Sequence, residues 1–491
     1  MTLFSALPGP LRQLYNQTLT KHYGVQPTPT MLSMMSTIAL ASLGLGILFG
    51  IFLGVPLIDT RGRKTVAVHI RCILGLMSCA LQALSGWLES AELFILGQLI
   101  LGVLIPIDMV VIPIFVVECA PNNHRGFASV ALQVGHMLAV LMVYWMCLPS
   151  ILGTYRTWAF IPTFGIVLCL LLYATTIGIY DSPKWLIARG KKTEAMKALR
   201  FYQGLHESQE RVMGLLCLES CLTTAKSMNI KTVWKDIYAR EAIKVIIAVQ
   251  IMFTFSPITI ERGYSVITHT SLGLTVEQSL KLSWLSTLLL SPLIFLSTFA
   301  LDKLGRRPVV FIAASILFSK TLLMFAAQLL VFSISTSRIT RLIAVVNEFA
   351  TDFVFSTGAG AVASLLVAEL VPPAARVATA QILLFVSLLS SVPIATPFPI
   401  INAIFAPATY APMLICQPFI FAYLVRNLPE TKLLSVFHIV RTFEEEVRSR
   451  VNKYPFIGAD TTLEVAFREQ LFTALDTPLR QDFRLVYKVP L

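Results

Sequence analysis

One charged motif occurs twice in this chain. Asp59-Thr-Arg61-Gly62-Arg63-Lys64 returns 243 positions later as Asp302-Lys303-Leu-Gly305-Arg306-Arg307. Glu118, with Arg125 seven positions on, returns 251 positions later as Glu369 with Arg376. A third echo closes each half: Asp181-Ser-Pro183-Lys184 after the first, Pro429-Glu430-Thr431-Lys432 after the second. Charged loops repeated at this interval between apolar spans imply a membrane protein of two parallel halves, the pattern of a transporter with its site between them.

The chain has 491 residues, 56% hydrophobic and 13% charged, with mean hydropathy +0.74, which excludes an ordinary soluble enzyme. Apolar stretches of spanning length fall near 32–56, 66–88, 92–117, 127–148, 154–178, 241–260, 278–301, 308–332, 342–368, 376–400 and 405–426, eleven in all. The net charge of +12 points to nucleic acid only until the charges are located. Eleven Lys and Arg lie in 181–240 and ten in 426–491, whereas the alternate loops are nearly bare. The positive-inside rule therefore puts the 181–240 loop and the C-terminal tail in the cytoplasm, and the basic balance is a topology signal. No nucleic-acid partner is implied; membrane lipid is.

With eleven spans the N-terminus is outside. The sole N-x-[ST] sequon, Asn16-Gln-Thr18, lies there as a candidate glycosylation site. The eight cysteines form no evident external pair. Two spans precede Asp302 in the second half but one precedes Asp59, and residues 1–30 hold neither an apolar run of spanning length nor a signal peptide. The first half is thus expected to lack its opening helix, which would leave an unfilled groove beside 127–148. The expected organisation is an extracellular segment 1–30, a bundle of five spans over 31–180, a cytoplasmic helical linker 181–240, a bundle of six spans over 241–427 and a cytoplasmic tail 428–491. Helical patterning without membrane length covers Lys184 to Arg200, Glu207 to Thr223 and Phe443 to Val451.

These motifs resemble the signature set of the sugar porters, a branch of the major facilitator superfamily. The resemblance rests on Asp-x-x-Gly-Arg-Arg/Lys, Pro113-Ile-Phe-Val-Val-Glu118-Cys-Ala-Pro121 with Arg125-Gly126, Asp181-Ser-Pro-Lys-Trp185-Leu186 and Pro429-Glu-Thr-Lys, in order from about Tyr15 to Glu446. Tyr15-Asn-Gln-Thr and Tyr23-Gly are similar to the first external loop of animal facilitative glucose transporters. The resemblance implies an all-α membrane protein of the major facilitator fold, with two pseudo-repeated bundles and cytoplasmic linker helices.

The repeated charges can be read without the family. An Arg-rich turn at a cytoplasmic helix end offers a fork of donors to carboxylates on neighbouring helix ends. Arg63, Glu118, Arg125, Arg306, Glu369 and Arg376 are therefore candidates for a cytoplasmic gate, with Arg63–Glu118 and Arg306–Glu369 as pairs. Alternatively these charges do no more than fix topology. A hexose needs hydrogen-bonding side chains and an apolar face in a midplane cavity. By resemblance Gln133 matches the family's sugar-contacting glutamine, and Phe355 an aromatic lining position; helix–helix contact and core packing are the respective alternatives.

Other positions depart from the family. Its seventh helix carries Gln-Gln-Leu-Ser-Gly-x-Asn where this chain has Phe253-Thr-Phe-Ser256-Pro257-Ile-Thr259. Its tenth carries Gly-Pro-Gly-Pro-x-Pro-Trp where this chain has Gly358-Ala-Gly-Ala-Val-Ala-Ser364, so an uninterrupted tenth span is expected. Ser387 and Ser391 stand at asparagine positions of the eleventh helix, and Gln98 at the fourth-helix arginine. New polar groups appear. His136, one turn after Gln133, joins the candidate substrate-binding set with Phe355, Ser387 and Ser391. Glu348, Asp352 and Ser356 share one helix face, Glu348 toward the external mouth and Asp352 deeper, as a candidate coupling group or a partner of Arg262.

The chain has no P-loop, metal-ligand cluster or Ser/His/Asp arrangement, so neither enzyme, metal nor cofactor is implied. The expected function is facilitative (uniport) transmembrane transport of a hexose or related polar solute by alternating access; the alternatives are a non-transporting nutrient sensor or regulatory relative with a degraded sugar site, or a truncated inactive isoform.

Overall fold

The computed structural model describes residues 6–121, 125–204, 230–235, 237–295, 303–371 and 375–429. Asp302, the segment from Glu207 to Thr223, Cys217, Cys221 and everything from Glu430 onward lie outside the described residues, as do the side chains of Asp59, Arg125 and Glu369.

Among the described residues the protein is helical throughout. In chain order α1 is Pro8–Tyr23, α2 Pro29–Phe49, α3 Arg71–Trp87, α4 Ala91–Pro106, α5 Arg125–Met146, α6 Phe160–Thr176, α7 Pro183–Ala188 and α8 Lys192–Gln203. The second half follows with α9 Ile237–Thr254, α10 Pro257–Ser271, α11 Val276–Leu290, α12 Arg306–Ser333, α13 Arg338–Ser356, α14 Val362–Leu370, α15 Arg376–Ala395, α16 Phe398–Phe405 and α17 Ala411–Asn427. At 1.5 Å per residue the 28-residue α12 reaches about 42 Å, more than the roughly 30 Å hydrocarbon core. Seven helices are long and apolar enough to cross a bilayer, and two shorter apolar ones, Ala131–Met146 and Phe160–Thr176, accompany them. The remaining expected spans, 278–301 and 342–368, fall on α11 and on α13 with α14.

Two expectations need correction. The seventh span does not end near 260. It continues as α10 to Ser271 after a break at Ser256-Pro257, because Pro257 has no N–H to give the preceding turn and sits comfortably at a new helix start. Glu261 and Arg262 therefore lie inside the span. The tenth span is not continuous either. Gly358 takes φ +74°, a conformation open to glycine, and a 3₁₀ turn Ala359–Ala361 separates α13 from α14. Loss of the prolines leaves the break in place. Residues 1–30 hold a short helix, α1, but its 16 residues include Arg12, Asn16, Gln17, Lys21 and His22 and it is not among the spanning helices, in keeping with the sequence reading.

α1 fastens to the neighbouring loops. The Thr18 hydroxyl accepts from the Ala91 N–H at 2.9 Å and lies 2.8 Å from the Glu89 carbonyl, while Lys21 pairs with Glu89. α2 and α4 are in backbone contact. A Cβ on Gly46 would stand 2.0 Å from the Leu99 carbonyl oxygen, and one on Gly102 would stand 2.2 Å from that of Leu43.

The apolar core is arranged unevenly. One cluster, including Val249, Leu317, Leu366 and Leu424, draws on the second half alone. A second, with Ile58, Val66, Ile107 and Phe115, draws on the first half alone. The third joins Leu14, Tyr15, Phe94 and Trp158 to Tyr264, Phe398 and Tyr410, and so ties the two halves together beside α1. Further cross-links run along α2 and α15: Thr37 to the Thr396 carbonyl at 3.3 Å, Gln381 to the Ile51 carbonyl at 3.2 Å, and Phe52 edge-on to Phe385 at 5.8 Å.

Candidate functional site

Intramembrane charge collects in the second half. Lys320, midway along α12 and only 2% exposed, reaches Glu261 of α10 and the Thr351 hydroxyl of α13. Thr351 donates to Glu261 at 2.7 Å, and the Asn347 amide donates to the other Glu261 oxygen. An ammonium in a low-dielectric interior is tolerable only with such a partner set. One turn away, His269 Nε2 lies 3.4 Å from Glu348, while its Nδ1 is 2.8 Å from the Ser279 hydroxyl; Ser283 donates to Glu348. Glu348 is thus buried between α10, α11 and α13 rather than set at an external mouth.

Asp352 is nearer the centre. Its Oδ2 accepts from Ser286 at 2.6 Å and from Thr287 at 2.9 Å, both on α11. Arg262, the partner expected for it, forms no contact ion pair. Its guanidinium lies over the Phe355 ring, 3.7 Å from the centroid, with Asp352 in electrostatic range. Protein atoms surround Arg262, yet its side chain keeps solvent-accessible surface. Gln133 and His136 of α5 are also solvent-accessible, and His136 is in electrostatic range of Arg262 across the two halves.

The candidate substrate residues therefore separate. Phe355 and His136 gather around Arg262, while Gln133 is exposed on α5 one turn before His136. Ser387 instead accepts from Gln250 of α9 at 3.1 Å, and the Ser391 hydroxyl turns back to the Leu388 carbonyl at 3.2 Å. Asn16 is exposed on α1.

At the opposite end the repeated motif is built around Gly62, at φ +99°. The turn lets the Lys64 N–H reach Asp181 at 3.1 Å, and a Cβ on Gly62 would stand 2.4 Å from the same carboxylate. Arg63 Nε lies 3.2 Å from Glu118, which also accepts from Ser182 at 2.5 Å. In the second half Arg307 donates to the Val425 carbonyl at 2.8 Å, Arg376 donates to the Val371 carbonyl at 3.2 Å, and Arg306 opens α12. The linker docks here: Tyr202 of α8 packs edge-on to Phe115 and donates to the Tyr180 carbonyl.

Sequence reasoning missed Lys320, His269 and Asn347, and a second intramembrane pair, Arg71 to Asp108 at 2.6 Å. Asp108 sits in the widened π turn Ile107–Val111 that follows Pro106. The signal was present: each of Lys320, Arg71 and Asp108 is an isolated charge within an apolar window.

Two helical halves around a shared polar cavity define a membrane transporter of the major facilitator fold. The chain matches the sugar (and other) transporter family model over residues 4–443, and it belongs to that family. It is 22% identical over 458 residues to the chicken facilitated glucose transporter member 3, covering 93% of this chain and 90% of that protein. It is 26% identical over 400 residues to the Caenorhabditis elegans facilitated glucose transporter protein 1, covering 79% and 76%. The inward-open structure of the xylose transporter XylE from E. coli superposes with a TM-score of 0.67 at 18% identity, covering 90% of this chain and 98% of that one.

Proposed function

We propose that the protein is a facilitative transporter of a hexose or a related polar solute, working by alternating access. The observation that carries this reading is the approach of polar groups from both halves: His136 of α5 lies in electrostatic range of Arg262 of α10, which stacks on Phe355 of α13. Relatives that it resembles in sequence include proteins named as facilitated glucose and trehalose transporters.

The movement follows from the uneven core. The cluster that joins the halves beside α1 closes one end, while the other two clusters leave each half self-contained. Rocking the halves about the central site opens the first contact and carries the Arg63–Glu118 pair and Arg125 of the first half toward Arg306, Glu369 and Arg376 of the second at the cytoplasmic end. The breaks at Ser256-Pro257 and Gly358 supply bending points in α9–α10 and α13–α14. Uniport is favoured because the deep carboxylates Glu261 and Glu348 already have cationic or imidazole partners, and Gln98 is an uncharged buried residue. The charge distribution supports an extracellular N-terminus and cytoplasmic C-terminus in the plasma membrane, with Asn16 available for glycosylation.

The test is counterflow of labelled hexoses into liposomes holding the purified full chain, with no proton gradient imposed. Saturable exchange is expected. Its absence for every hexose tried, in protein that remains monodisperse, would instead favour the non-transporting sensor.

A further inference from the structure

Arg262 occupies an unusual position for a family of carriers of uncharged sugars. Guanidinium in a low-dielectric interior is normally neutralised by a contact carboxylate. Among the described residues Arg262 makes no hydrogen bond and no ion pair; its guanidinium lies over the Phe355 ring, with Tyr144 and Asp352 in electrostatic range. The nearest carboxylate, Asp352, gives its Oδ2 to Ser286 and Thr287 instead. The other acids of the region are also committed, Glu261 to Lys320, Thr351 and Asn347, and Glu348 to His269 and Ser283.

The stacking matters for what remains free. With one face of the guanidinium on an aromatic ring, the five N–H donors at its rim stay available, and their fork matches a carboxylate. Phe355 thus holds the cation in place without consuming its donors. On α5, His136, in electrostatic range of Arg262, and Gln133 one turn before it are accessible and offer neutral donors and acceptors suited to hydroxyls.

We infer that the central site takes a polyhydroxylated solute bearing a single carboxylate, of the sugar-acid class, with the carboxylate forked by Arg262 and the hydroxyls facing Gln133 and His136. A single negative charge fits better than two, because Asp352 lies in electrostatic range of the same guanidinium. The inference rests on the transport reading for the identity of the cavity, but its test does not depend on transport.

D-glucose, D-glucuronate and D-glucose 6-phosphate share one pyranose ring and differ in charge, so their binding to the purified full chain is compared by isothermal titration. Glucuronate is expected to bind at least tenfold tighter than either other sugar. Arg262→Gln is expected to lower glucuronate affinity at least tenfold more than glucose affinity, and Arg262→Lys, which keeps the charge and loses the fork, to recover part of the loss. Wild-type protein gives an independent readout in liposomes: glucuronate uptake increases under an inside-positive potential, whereas glucose uptake does not respond. Equal or tighter binding of glucose overturns the inference, as does binding of none of the three. Tighter binding of the phosphate replaces the single-carboxylate assignment. Glucose counterflow without glucuronate preference overturns the inference while the transport reading stands; glucuronate binding without any counterflow does the reverse.

Discussion

Gly62 and Gly305 hold the same backbone conformation 243 residues apart, at φ 99°, ψ 157° and φ 96°, ψ 165°. That region of conformational space is open to glycine almost alone. Each glycine lets the chain leave one helix and enter the next with its arginines turned toward neighbouring helix ends.

Gly62→Ala is expected to destabilise the protein by about 1–3 kcal/mol, from backbone strain together with a Cβ placed against Asp181. Thermal unfolding of the detergent-solubilised protein measures it. An unchanged melting temperature would mean that the turn relaxes freely.

Gly46→Ala and Gly102→Ala should each force α2 and α4 apart, because the added carbon meets a backbone carbonyl rather than a movable side chain. A loss of about 1–3 kcal/mol is expected for each. Gly135→Ala is the control: nothing lies within 4 Å of its Cβ, so it should be neutral or slightly stabilising. The same unfolding assay decides whether the three differ.

Lys320→Met leaves Glu261 buried without its cation, and the expected loss is about 3–5 kcal/mol. The double variant Lys320→Met, Glu261→Gln removes both charges and should recover most of it. If the double variant is as unstable as the single one, packing rather than charge holds this region.

Glu118→Gln weakens the acceptor shared by Arg63 and Ser182. The pair is partly buried, so a change of about 1 kcal/mol, roughly fivefold in the outward-to-inward ratio, is expected, with a bias to the inward-facing state. Spin-label distances between the cytoplasmic ends of the two halves measure that ratio. An unchanged distribution would assign these charges to topology alone.

The two halves and their charged turns were legible because they depend on short motifs and on hydropathy, both local in sequence. The central site was legible in part. Gln133 and Phe355 follow from matching helix positions and His136 from its spacing after Gln133; the structure brings His136 and Phe355 near Arg262. Lys320 and Glu261 were not linked, since 59 residues, with α11 among them, separate the two and no periodicity joins α10 to α12. The break in the tenth span was missed for a different reason. Attention to the absent prolines obscured Gly358, whose positive φ is sufficient to interrupt a helix on its own.

Thr18 sets an order of events. It is the third residue of the Asn16 sequon, yet in the folded protein it is fully buried, with its hydroxyl held against Ala91 and Glu89. An enzyme that must engage this hydroxyl to modify Asn16 can do so only before α1 settles onto the turn that starts α4. Sugar attachment at Asn16 is therefore a record of timing: an occupied site reports that the N-terminal segment lingered undocked during synthesis, and an empty one that it docked first.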